Sequence, residues 1–380
     1  MGTAWIVDAV RTATGKRNGA LASTHSVALG AVPLRALVAR TGIDPALIDD
    51  VVYGCVTPVG EQGMNVGRLA ALEAGWPVGV PGVQINRMCG SSQQALHFAA
   101  MGVASGFQDL VVAGGVESMS RVPMGSDMFL NGAMAALPDD LAWHYSIIPQ
   151  GRSAELVAKK YDLTRAELDA YSLMSHQRAS AARNKLDREI VAVDVGGTPH
   201  TFDEGVRGDT SLAKLAGLKP AFEDDGVLTA GSSSQISDGA AAVLLASDAA
   251  VKRYGLKPRA KVVSMAVAGV DPTIMLTGPV PASRMALERA GLKVSDLDVV
   301  EINEAFASVA LGCGRELGLD FEKTNVFGGA IANGHPLGAS GAKLTTTLLN
   351  VLEQRNGRYG LLTMCIGFGQ ATATVVEAVH

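Results

Sequence analysis

The chain has few cysteines. The four, at positions 55, 89, 313 and 365, form no CxxC pair and no metal-ligand spacing. That argues against a disulfide framework or a structural metal module, so no metal is expected; packed or reactive thiols in a reducing, cytoplasmic setting fit better. Positive charge is not in excess: the net charge is −5, which leaves no electrostatic footprint for nucleic acid. No apolar run reaches membrane-spanning length, and the longest, near Ala240–Ala246, reads as a core strand. Only Trp5-Ile6-Val7 precedes Asp8, Gly2 has no Ser or Thr at position 6, and Ala378-Val379-His380 is not a peroxisomal address, so no targeting segment or lipid anchor is expected. No G-x-G-x-x-G, Walker loop or G-x-S-x-G elbow occurs, which removes support for dehydrogenase, NTPase and hydrolase readings. Ser340-Gly341-Ala342-Lys343 fits S-x-x-K but lacks the S-D-N and K-T-G that should accompany it.

What is abundant is glycine, 44 residues against 5% aromatics, which together with plentiful alanine points to tightly packed layers and close turns. At 380 residues the chain suits two or three subdomains. Three glycine-rich turns stand out, each after an apolar run that reads as a buried strand. Cys89 lies in Asn86-Arg87-Met88-Cys89-Gly90-Ser91-Ser92, His335 in Asn333-Gly334-His335-Pro336-Leu337-Gly338, and Cys365 in Cys365-Ile366-Gly367-Phe368-Gly369. Cys89 and His335 also precede helical patterns, where a helix N-terminus can lower a thiol pKa and aim N–H groups at an oxyanion.

The chain repeats itself. Gly42-Ile43-Asp44, Asn86-Arg87-Met88-Cys89 and Leu110-Val111-Val112 resemble Gly291-Leu292-Lys293, Asn333-Gly334-His335 and Gly360-Leu361-Leu362, at a near-constant offset of about 250 residues. Each half reads as alternating strands and helices with its functional turns at strand C-termini, where doubly wound α/β sheets place ligands. Between the halves, roughly Met119 to Gln235 has few strand patterns and two clear helices. One is expected to follow Ser153 as its cap; the other opens on the capping box Thr164–Glu167 and runs to about Asn184. This stretch reads as a lid for a long substrate with a polar handle; its first third suits oligomerisation or packing equally well.

Cys89 is the nucleophile candidate, against the common alternative of an ordinary buried cysteine. His335 is either its base or a histidine hydrogen-bonded in a turn. The remaining histidines, 25, 97, 144, 176, 200 and 380, read as structural or exposed. Cys365 is a second thiol able to shuttle protons, or a redox partner that no CxxC supports. Asn303, after the strand Val299–Ile302, either holds a water or oxyanion or caps a helix.

Taken together, these segments resemble the thiolase family of acyl-CoA C-acyltransferases. The resemblance runs from Val10-Arg11-Thr12 through Gly114-Gly115-Val116-Glu117-Ser118-Met119-Ser120, Ser175-His176-Gln177, Asp238-Gly239-Ala240 and Asn303-Glu304-Ala305-Phe306 to the His335 and Cys365 segments. It implies a five-layered α-β-α-β-α sandwich of two duplicated halves, residues 1–118 with 236–258 and 259–380, plus an inserted loop domain at 119–235. By the same resemblance Cys89 is the nucleophile, His335 its base and Cys365 the acid/base thiol. One oxyanion hole is formed by His335 with an Asn303-held water, the other by the Cys89 and Gly367 N–H groups. Arg207 and Ser234 are implied as coenzyme A contacts, and Met275 and Phe306 as acyl-pocket residues. Coenzyme A is expected as co-substrate, with no resident cofactor, no membrane insertion, and a homodimer or homotetramer whose tetramer loop follows Ser120.

Departures from the family pattern bear on substrate more than on reaction. Ala13 stands where a proline is usual, Ser91-Ser92-Gln93-Gln94 where the family often has Ser-Gly after Cys-x, and Phe368 where glycine is more usual. Short-chain acetoacetyl-CoA thiolases usually carry His-Met-Gly in the lid; here Pro149-Gln150-Gly151 occupies that place, which puts Gln150 in the acyl pocket. The wording resembles degradative 3-ketoacyl-CoA thiolases, including those acting on bulky or steroid side chains. A biosynthetic acetoacetyl-CoA thiolase is the alternative. A decarboxylating ketoacyl synthase lacks the second cysteine, and a non-enzymatic relative should have lost a catalytic residue, whereas none is missing.

Overall fold

The computed structural model describes residues 2–130, 133–134 and 137–379; Met1, His380, and residues 131, 132, 135 and 136 of the expected insertion lie outside them. The main strands are β1 (Trp5–Thr12), β2 (Asp50–Gly54), β3 (Val83–Ile85), β4 (Leu110–Ser118), β5 (Ser237–Ala246), β6 (Ala260–Gly269), β7 (Val299–Ile302), β8 (Tyr359–Ile366) and β9 (Gln370–Ala378). The main helices are α1 (Ser26–Thr41), α2 (Val66–Glu73), α3 (Ser91–Ser105), α4 (Gln150–Lys160), α5 (Arg165–Ala182), α6 (Pro279–Ala290), α7 (Ala307–Leu317) and α8 (Ser340–Arg355).

The duplication is visible as topology. One half runs β3-β2-β4-β5-β1 and the other β7-β8-β9-β6, with a parallel bridge from Val300 to Thr324 where β3 would stand. In both halves the first pair is parallel (β2 with β4, β7 with β8) and the later pairs are antiparallel. The halves join at one corner, where Trp5 and Ile6 pair with Lys261 and Ala260.

Strand alternation builds the layers. In β2, Val51 and Tyr53 face the core under α1 and α2, while Val52 faces the opposite core. In β8, Leu361 and Cys365 face α6 and α7, while Leu362, Met364 and Ile366 face inward. The inward-facing residues of both sheets meet one shared cluster around Ala95, Leu96 and Ala99 of α3 and Leu344, Leu348 and Leu352 of α8. Three apolar cores therefore separate five layers, with α3 and α8 in the middle. Strands buried on both faces read as continuous apolar runs, as at Ala240–Ala246, which lies within the fully buried β5.

The α3 and α5 expectations fit; α5 opens on the Thr164–Glu167 capping box and ends at Ala182, with a 3₁₀ turn following. The expected cap at Ser153 is wrong. That helix starts at Gln150 behind Pro149, and Ser153 is buried inside it. A serine three residues into a helix whose first turn lacks a side-chain cap imitates an N-cap in sequence. The intervening stretch leaves the sheet after β4, pairs briefly with β1 through Ile190–Val191, and returns at β5; its two ends are neighbours, Ser118 pairing with Asp238.

Candidate active site

The three glycine-rich turns converge. Gly90, the N-terminal cap of α3, abuts Ile366 so closely that a Cβ would collide with its side chain. Gly341, in the first turn of α8, lies against the backbone of Gln93, and Ala342 N–H donates to Ser92 Oγ at 3.0 Å. The N-termini of the two central helices therefore meet, bringing the segments before them together. Cys89 packs with Val56, Met119 and Leu337, and Met88 leans on the group; Leu337 is two residues from His335.

Within this junction Cys89 is 5% exposed, His335 3%, Asn303 1% and Cys365 0%. Asn303 Nδ2 lies 3.4 Å from His335 Nε2, and His335 Nδ1 lies 2.5 Å from Ser340 Oγ. Ser340 Oγ donates its proton to Pro336 O at 2.8 Å, so it accepts from Nδ1–H. The network thus assigns the tautomer: Nδ1 carries the proton and Nε2 is free to accept one. The His335 N–H donates to Ser237 Oγ at 3.1 Å, and Lys343 Nζ donates to the carbonyls of Asn333 (3.1 Å) and Gly334 (2.8 Å). Burial, then the Lys343 charge, lower the His335 pKa to about 3, so the ring is neutral at physiological pH.

The thiol departs from expectation. A helix N-terminus was expected to lower its pKa; instead burial pushes Cys89 up to about 11, with the nearby Glu117 carboxylate adding to the rise. The Cys89 and Gly367 N–H groups and the Gln150 side chain pull the other way. Desolvation outweighs these dipoles, as it does for a charge taken almost wholly out of water. Cys365 is likewise raised, by burial first and then by Cys89 and Cys313. At rest the centre holds two neutral thiols and a neutral imidazole.

The other residues singled out in the sequence stand at different removes from this junction. Gln150 is at the Cys89 sulfur. Met275 and Phe306 share one apolar cluster with Cys365. Ser234 N–H donates to Ala305 O at 2.9 Å, tying its loop to the Asn303–Phe306 segment. Arg207 is exposed, and its N–H is held by His176 Nδ1 at 3.1 Å. His176 is therefore structural, and His97, bonded to Thr374 Oγ1 at 2.8 Å, is structural too.

Sequence reasoning missed several contributors. Ser340 and Lys343 were set aside as a false S-x-x-K match, yet they fix the His335 ring and its loop. The buried Glu117 carboxylate accepts from the N–H groups of Val56 (2.8 Å), Thr57 (3.1 Å) and Gly338 (2.8 Å) and from Gln62 Nε2 (3.0 Å). It thereby ties the His335 turn to the wall beside Cys89. Phe222 sets its ring edge-on to Phe306, 5.5 Å between centroids. The only sequence signal for Glu117 was its place in a motif, with no partner in sight.

Comparison with known proteins gives one answer along the whole chain. The thiolase N-terminal domain model matches residues 4–249 and the thiolase C-terminal domain model residues 256–378. The chain is 50% identical to the steroid 3-ketoacyl-CoA thiolase of Mycobacterium tuberculosis, covering 99% of this chain and 94% of that protein. It is 45% identical to the 3-oxoadipyl-CoA/3-oxo-5,6-dehydrosuberyl-CoA thiolase of Escherichia coli, over 100% of both. Among solved structures, an acetyl-CoA acetyltransferase of Bacillus anthracis superposes with a TM-score of 0.91 at 37% identity, covering 100% and 99% of the two chains.

Proposed function

The chain belongs to the thiolase family, and on that premise we propose that it is a degradative thiolase, cleaving 3-oxoacyl-CoA with coenzyme A to acetyl-CoA and a shortened acyl-CoA. The observation that carries the proposal is the meeting of Cys89, His335 and Asn303 with the Cys365–Gly367 turn at the two central helix N-termini.

In this reading Cys89 Sγ attacks the 3-keto carbon while its proton passes to His335 Nε2. Both groups are neutral at rest, so proton transfer accompanies attack and no standing ion pair precedes it. The tetrahedral oxyanion is held by the Cys89 and Gly367 N–H groups. Its collapse breaks the C2–C3 bond and leaves an acyl-Cys89 thioester and the acetyl-CoA enolate. The enolate oxygen is held by the now protonated Nε2 and by Asn303, and Cys365 gives its proton to C2. The resulting Cys365 thiolate deprotonates incoming coenzyme A, whose sulfur takes the acyl group; Cys89 leaves and recovers its proton from His335.

Residues 119–235 serve as the lid and coenzyme A site, with Arg207 toward the nucleotide and Ser234 toward the pantetheine. Gln150, Met275, Phe306 and Phe222 line the acyl end. Gln150 in place of a pocket-limiting methionine, together with relatives named for steroid and dicarboxylic acyl-CoA substrates, supports an acyl group longer than acetoacetyl. The working form is a homodimer or homotetramer in the cytoplasm, and coenzyme A enters as co-substrate.

The test is coenzyme A-dependent cleavage of a 3-oxoacyl-CoA panel, from acetoacetyl-CoA to long and ring-bearing chains, with Cys89→Ala as control. Cleavage of the larger substrates, lost in the variant and accompanied by an acyl mass increment on Cys89, is expected. Activity on acetoacetyl-CoA alone would favour the biosynthetic alternative; no cleavage at all would refute the enzymatic reading.

A further inference from the structure

Phe368 is costly to the fold twice over. It occupies the three-residue connection Gly367-Phe368-Gly369 between β8 and β9, which Ile366 and Gln370 close as a pair. Its φ is 62°, in the left-handed region, where a bulky side chain clashes with its own backbone and glycine does not. The residue is 38% exposed. A bulky residue in this conformation that stays so exposed is an outlier, and such outliers concentrate at functional sites.

Position supplies the use. Gly367, the preceding residue, presents its N–H to the Cys89 sulfur, and Cys365 is two residues earlier. A second non-glycine residue with positive φ, Met88 at 45°, immediately precedes Cys89. A Cβ on Gly367 would sit 3.7 Å from Met88 Cγ, so the two turns stand side by side next to the nucleophile. Met88 leans on the Cys89 cluster, whereas Phe368 keeps more than a third of its surface open. On its other side Gly369 packs backbone to backbone, where a Cβ would strike Val270 O and Pro272.

We infer that Phe368 is a specificity-determining residue, whose ring forms an apolar wall for the acyl group carried on Cys89 and favours large, apolar acyl chains. The inference rests on the thiolase reading above.

The test uses the full chain and Phe368→Gly, comparing kcat/KM on acetoacetyl-CoA with kcat/KM on a long-chain or ring-bearing 3-oxoacyl-CoA, alongside thermal melting and light-scattering mass. Glycine suits the positive φ, so the variant is expected to melt no lower than the wild type. The ratio of large-substrate to acetoacetyl-CoA kcat/KM is expected to fall at least about 10-fold, the scale on which apolar pocket contacts discriminate. An unchanged ratio overturns the proposal, as does a loss of mass per particle in the variant, which would mean that a second copy of the chain covers the ring. Wild-type activity confined to acetoacetyl-CoA also overturns it. A wild-type chain that cleaves nothing overturns the thiolase reading and this inference with it, so the two failures are distinguishable.

Discussion

Ser340→Ala should cripple the chemistry while leaving substrate binding intact. Ser340 Oγ is the acceptor of His335 Nδ1–H at 2.5 Å, in a site where both residues are buried. Alanine leaves that N–H unpaired with almost no water to replace the partner, a cost of about 1–3 kcal/mol. The penalty grows during the reaction. Once Nε2 takes the Cys89 proton the ring is cationic, and a hydrogen bond from a charged donor is roughly twice as strong as a neutral one. The transition state should therefore lose about 1–3 kcal/mol more than the ground state, or roughly 5- to 150-fold in kcat. Ser340 is bonded to the Nδ1 side of the imidazole, away from the reacting Nε2, so KM should hold. Ser340→Thr, which retains the hydroxyl, should recover most of the loss. The assay is steady-state thiolysis monitored at the 3-oxoacyl-CoA absorbance, with melting curves to check folding. A folded Ser340→Ala protein with kcat within threefold of wild type would refute the tautomer argument.

Three further outcomes follow from the buried groups. His97 and His335 are both held neutral by burial, each with its pKa lowered from 6.5 to about 3. The unfolded chain then binds more protons below pH 6.5, so their contribution is present above that pH and is lost as pH falls toward 3. By pH 5 the loss is about 2 kcal/mol per group, and a melting temperature flat between pH 7.5 and 5 would contradict it. The Cys89 thiol, raised to about 11, should be alkylated by iodoacetamide with a rate that climbs about tenfold per pH unit from 7 to 10; a plateau near neutrality would show a pre-formed thiolate. Glu117→Gln exchanges one of two carboxylate oxygens, each accepting two hydrogen bonds from N–H groups, for an amide donor. It should lower the unfolding free energy by about 3 kcal/mol in urea titrations and reduce kcat as the His335 turn loosens, whereas a loss below about 1 kcal/mol would mean the clamp is dispensable.

Much of this molecule was legible in the chain because its decisive features are local. A glycine-flanked Cys89 before a run of small residues marks a strand–turn–helix unit without tertiary information, and the repeat of that unit near His335 exposes the duplication. The Thr164–Glu167 capping box is likewise complete within four residues. What stayed hidden depends on distance or on burial. Glu117 is tied to Gly338, and Ser92 to Ala342, across separations no periodicity reports. The Cys89 pKa depends on how much water remains, and the sequence shows the helix dipole but not the desolvation that outweighs it. Ser340 and Lys343 were passed over because a motif was sought in their spacing, when their work is to hold the ring and loop five to ten residues upstream.

The insertion leaves and re-enters the sheet at one place, with a second, two-residue attachment where Ile190 and Val191 pair with Arg11 and Thr12. Because Ser118 and Asp238 are paired neighbours, everything between them begins and ends at one place, and the entropy cost of closing that excursion grows only slowly with its length. If residues 119–235 are the lid proposed above, selection can rewrite it, lengthen it or trade its contacts for others while the groups at the central helix N-termini stay in place. Gln150, which the lid contributes at the Cys89 sulfur, is the kind of residue such rewriting would change first. A lineage built this way can diversify its diet without reinventing its chemistry, and lids exchanged between relatives at this junction should carry their substrate preferences with them.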